Sequence, residues 1–69
     1  MEEEKVLLPH QQRVVDEKME LDTKLNKLGE FLETEIFKNL QKEDKELLKE
    51  QYDIMFNYSS ILNRRIKRF

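Results

Sequence analysis

Val14, Leu21, Leu25, Leu28 and Leu32 recur at intervals of three, four and seven residues. That spacing predicts an amphipathic helix over residues 10–33. At 100° per residue these side chains form a stripe only about 60° wide. Leu21, Leu25, Leu28 and Leu32 have the spacing of a short coiled-coil seam. Pro9 and His10 mark the helix start, because the residue before a proline avoids the helical region and proline itself suits a first turn. Gly29 interrupts the pattern and costs about 1 kcal/mol relative to alanine inside a helix. Close approach of another backbone, a local kink, or simple tolerance would each account for it.

A second helix is predicted over residues 42–68. Leu48, Tyr52, Met55, Ser59, Leu62, Ile66 and Phe69 alternate by four and three. Leu47, Ile54, Tyr58 and Ile61 make a second row, and Phe56 widens the other side. The resulting apolar arc covers about 220° of the helix. Glu43 and Asp44 open this helix while Arg64, Arg65, Lys67 and Arg68 close it, which matches the helix dipole at both ends. Between the helices, Ile36, Phe37 and Leu40 have helical spacing. A short turn of helix that plugs the closed end of a hairpin is expected there. Asn39 or Gln41 would cap the following helix, asparagine being the better capper.

So short a connection favours antiparallel helices, about 36 and 40 Å long at 1.5 Å per residue. The expected core contains Leu21, Leu25, Leu28, Leu32, Leu47, Leu48, Leu62 and Ile66. One partner helix cannot cover the wide arc, and Val15 and Met19 lie off the first helix's stripe. The expected fold is therefore all-α: an antiparallel helical hairpin with a short helical connection, assembling into a homo-oligomeric bundle, either a dimer or a higher cyclic form. Residues 9–69 make the single domain, and residues 1–8 an acidic tail ending in the hook Val6-Leu7-Leu8.

Composition narrows the class. Only 69 residues bury too little apolar surface for comfortable stability without help. Cysteine is absent, which excludes disulfides and thiolate metal sites. A net charge of −2 is not that of a general nucleic-acid binder. No apolar run approaches the roughly 20 residues of a transmembrane helix, and the acidic start does not resemble a signal peptide, so a cytoplasmic location is expected. Catalysis finds no support: there is no Gly-rich phosphate loop, His10 stands alone, and the Glu-x-x-His pattern of di-iron bundles is missing. Neither a metal nor a cofactor is expected.

The candidate chemistry lies near the C-terminus. Ser59 falls within the apolar arc and Asn63 at its edge beside Tyr52 and Phe56, where polar groups need hydrogen-bond partners. Ser59 would bond back to its own helix or across a subunit interface. Alternatively the stretch forms a polar notch flanked by aromatic rings, with Tyr52, Phe56 or Tyr58 stacking on a nucleobase and Ser59 or Asn63 reading its edge. Antiparallel packing would gather His10, Arg13, Arg64, Arg65 and Arg68 at the open end, beside the free N–H groups that begin the first helix. Arginine forks bind phosphate in bidentate fashion. Arg13, Arg64, Arg65 and Arg68 are thus candidate phosphate ligands, unless they only complement the helix dipole or are neutralised by Glu17 or the tail.

The run Arg13-Val14-Val15-Asp16-Glu17-Lys18-Met19-Glu20-Leu21, with Leu25, Leu28, Phe31 and Leu32, resembles a family of small phage and prophage helical proteins related to an uncharacterised crAss-like phage gene product. Leu47-Leu48-Lys49-Glu50-Gln51, Met55, Tyr58, Ile61-Leu62 and Arg65-Ile66 continue the resemblance, which spans residues 11–66. The overall plan is similar to that of phage anti-CBASS and anti-Thoeris sponges. The resemblance implies a non-catalytic protein of the host cytoplasm that sequesters a cyclic nucleotide or cyclic ADP-ribose-type signal. The competing expectation is an interaction protein that docks its wide apolar helix on a host or phage protein. A small nucleic-acid binder using the basic C-terminus comes third.

Overall fold

The computed structural model describes residues 6–69. The chain folds as α1 (Pro9–Phe31), α2 (Glu35–Lys38) and α3 (Lys42–Ile66). The reading of the acidic tail falls largely on residues 1–5, which lie outside the described residues. Among the described residues, no helix is long and apolar enough to cross a membrane.

Local chemistry sets the helix ends. Pro9 occupies the first turn of α1, where its missing N–H is not needed. The Gln11 side chain reaches back to accept from the Leu8 backbone N–H at 2.9 Å. Thr34 forms the corner after α1: its hydroxyl donates to the Phe31 carbonyl at 2.7 Å and accepts from the Phe37 N–H at 3.2 Å. The hydroxyl thereby serves one orphan group at the end of α1 and another at the start of α2. The expected side-chain cap on the second long helix is not made. Gln41 is the N-cap residue of α3 but its side chain makes no capping bond, and Asn39 instead ends α2.

Three cross-hairpin pairings fix the direction. Glu17 meets Tyr58, Asp22 meets Ser59, and Gly29 faces Tyr52. From the Glu17–Tyr58 pairing to the Gly29–Tyr52 pairing the residue numbers rise along α1 and fall along α3, so the two long helices are antiparallel. At the closed end Phe37 is buried and meets the Phe31 ring edge-on, with centroids 6.2 Å apart. The Lys49 ammonium lies 5.9 Å from the centre of the Phe37 ring, which adds a cation–π contact. The expectation of a three-residue plug is corrected here: Leu40 is half-buried but Ile36 is 66% exposed. Phe37 fills the turn, with Leu40 partly covered beside it.

The core is a thin seam. Val14, Leu25, Phe37 and Leu62 are the buried apolar residues among those described, and Leu62 is wholly enclosed. Leu21, Leu28, Leu32, Leu48 and Ile66 are half-buried. Leu47, expected in the core, is 63% exposed, because its row on α3 points away from α1.

What approaches Gly29 is a ring rather than another backbone. A Cβ at this position would stand 3.2 Å from Tyr52 Cε2. That contact is tight, but Tyr52 is only half-buried and borders an open groove into which its ring can shift. Gly29→Ala is therefore expected to stabilise the fold, by less than the ~1 kcal/mol difference in helix propensity. A lower denaturation midpoint for this variant would show that the ring cannot yield.

Candidate functional site

A groove of about 370 Å³ runs between α1 and α3 and is lined by Lys18, Asp22, Leu25, Phe56, Ser59, Ser60 and Asn63. A second groove of about 370 Å³ adjoins it at Leu25 and is bordered by Gly29 and Tyr52. The structure thus brings Phe56, Ser59 and Asn63 together and places Tyr52 in the adjoining groove. Residues 52, 56, 59 and 63 fall within roughly 60° of one another on α3, which is why one flank of the hairpin carries all four.

Tyr58 is separated from them. It lies about 100° from Ser59 on the helix, on the opposite flank, where its hydroxyl donates to the Glu17 carboxylate. Arg64, Arg65 and Arg68 stand at the end of α3, and the antiparallel arrangement brings Arg13 and His10 to that same end. All five of these basic residues are exposed. Arg64 and Arg65 also sit in the last turn of α3, where positive charge complements the helix dipole.

Ser59 is 8% exposed, and its hydroxyl donates to Asp22 Oδ1 at 2.5 Å. Its partner is therefore on the facing helix of the same chain, rather than on its own helix or another subunit. The second oxygen of Asp22 accepts from Lys18 Nζ, also at 2.5 Å. These three residues form a clasp across the groove floor, and no buried side-chain polar atom among the described residues lacks a partner. Sequence reading singled out Ser59 but missed Lys18 and Asp22. Their i,i+4 spacing was the available signal, with Asp22 falling at the rim of the leucine stripe.

The Lys18 ammonium, and then the Ser59 hydroxyl, hold the Asp22 carboxyl below its ordinary value, against a smaller opposing effect of burial. A carboxyl whose folded pKa is depressed contributes stability above its unfolded pKa, and loses that contribution as pH falls through the folded value. The wild-type denaturation midpoint should therefore fall below about pH 4 by more than that of Asp22→Asn. Parallel pH profiles for the two proteins would mean that the clasp adds no pH-dependent stability.

Chemically, the groove offers one aromatic face, two hydroxyls, one amide and a neutralised ion pair. Such a set suits a flat heteroaromatic ring with polar edges. Among the described residues no group of His, Cys, Asp and Glu is arranged to hold a metal ion.

Comparison with known proteins places this hairpin among relatives. The chain is 36% identical, over 63 residues, to an uncharacterised 7.5 kDa protein from the denB-rIIB intergenic region of Enterobacteria phage T4, covering 91% of this chain and 98% of that protein. No solved structure matches it. The Sequestin family model matches residues 8–68, which include both long helices and the groove between them. On these grounds the chain belongs to the Sequestin family.

Proposed function

We propose that the protein is a phage-encoded anti-defence protein that binds and sequesters a cyclic nucleotide or cyclic ADP-ribose-type signal without cleaving it. On this reading it acts in the host cytoplasm as a homo-oligomer. The observation that carries the reading is the Phe56 ring, 56% exposed, set in a groove whose polar lining includes Ser60 and Asn63 beside the Lys18–Asp22–Ser59 clasp. A base stacks on that ring and the hydroxyl and amide groups read its edge. Arg64, the residue that follows Asn63 at the open end of the hairpin, meets the phosphates. The family description and the phage relative fit a role in which holding a molecule is the whole task. Tight retention needs no general acid or base.

Calorimetric titration with a panel of cyclic di- and trinucleotides and cyclic ADP-ribose isomers tests the reading. Tight binding of one member, recovered intact afterwards, is the expected result. Replacing Arg64 and Arg65 together by alanine should then abolish the heat. No heat across the panel would overturn the proposal for these ligands.

A second reading, docking on a host or phage protein, is favoured by the exposed apolar row Leu47, Ile54, Tyr58 and Ile61. It predicts a monomer in the free state and capture of a partner that survives loss of the two arginines. Nucleic-acid binding would instead show a steep dependence on salt.

A further inference from the structure

The flank of α3 opposite the groove carries a second seam, built like the one that packs on α1. Leu47, Gln51, Ile54, Tyr58, Ile61 and Arg65 alternate by four and three, so they lie within about 80° of one another. The four apolar members are exposed, with Ile54 at 60%. Charge is polarised along the same seam. Glu43 and Asp44 precede it, and Arg65 and Arg68 end it.

We propose that this seam is the interface with a second copy of the chain, whose α3 lies antiparallel to the first across a two-fold axis near Ile54. The inference rests on the self-association in the proposed function and assigns it a surface and a direction. Charge decides the direction. A parallel pair would stack the arginines of one copy on those of the other. The antiparallel pair sets Glu43 and Asp44 of each copy against the arginine end of the other and brings Leu47 towards the other copy's Ile61. A two-fold interface is self-complementary in this sense.

Leu47, Ile54, Tyr58 and Ile61 are 63%, 60%, 41% and 46% exposed in one unbroken row, and a second apolar row of the same spacing covers them. The groove with Phe56, Ser59 and Asn63 lies on the other flank and stays open, so the dimer would carry one groove per chain.

The chain has no cysteine, so introduced ones report cleanly. Ile54→Cys is expected to form a disulfide-linked dimer on mild oxidation of the full chain, whereas Phe56→Cys on the far flank is not. Light scattering should give twice the chain mass for wild type, and that mass should halve for Ile54→Asp combined with Ile61→Asp. Circular dichroism would confirm that helix is retained; should the double variant unfold, the cysteine pair still decides. A monomeric wild type would overturn both this interface and the self-association in the proposed function. An oligomer in which Phe56→Cys links and Ile54→Cys does not would overturn this interface alone.

Discussion

Leu62→Ala is expected to destabilise the protein by about 2–5 kcal/mol, the usual range for a buried leucine truncated to alanine. Leu62 is the one described side chain wholly closed to solvent, so little room exists for neighbours to relax into the cavity. A chain of this length has a total stability of only about 3–10 kcal/mol. The loss therefore removes much of the margin, and a large fraction of the variant should be unfolded well below the wild-type melting temperature. Met19→Ala is the matched control. Met19 is 65% exposed on α1, away from both seams of α3, and its truncation should change stability by no more than about 0.5 kcal/mol. Urea denaturation at one fixed protein concentration compares the two, since a self-associating protein gains stability with concentration. Equal midpoints for the two variants would mean that the seam around Leu62 is not the stabilising centre of the hairpin.

Among single substitutions in the groove, Phe56→Ala should carry the largest effect on ligand retention. Stacking of a base on an aromatic ring is worth about 1–3 kcal/mol, which corresponds to a five- to 150-fold loss of affinity. The ring is more exposed than buried, so the fold should survive its removal with a near-normal melting temperature. Titration of the variant with whichever cyclic nucleotide the wild type binds checks this. Affinity unchanged to within twofold would place the ligand elsewhere, with the arginine end of the hairpin as the next place to look. Tyr58→Phe provides a contrast. It removes only the hydroxyl that donates to Glu17 on the opposite flank and should leave ligand affinity intact.

The candidate residues show where sequence reading succeeds and where it stops. Tyr52, Phe56, Ser59 and Asn63 share a face because their spacing is periodic, and periodicity is visible in a string of letters. Tyr58 lies close to them in sequence, yet two residues along a helix is a turn of about 200°, which separates it from Phe56. Ser59 was recognised as a polar residue that needs a partner. That the partner is Asp22, 37 positions away, depends on the register of the hairpin, which no local pattern encodes. Gly29 is similar: its cost to the helix was legible, but the Tyr52 ring that approaches it was not.

What the sequence determined by itself is the helical content, the position of the turn, the antiparallel direction and an apolar arc too wide for one partner. These follow from spacing, capping chemistry and loop length, all of which act over a few residues. Only the tertiary structure decided which parts of the arc are covered. It closed Leu62 and Phe37, left Leu47 and Ile36 in solvent, and joined Lys18, Asp22 and Ser59 into one clasp. The reason is geometric. A helix offers many azimuths to its neighbour, and the choice among them is made by how the two surfaces interlock along their full length.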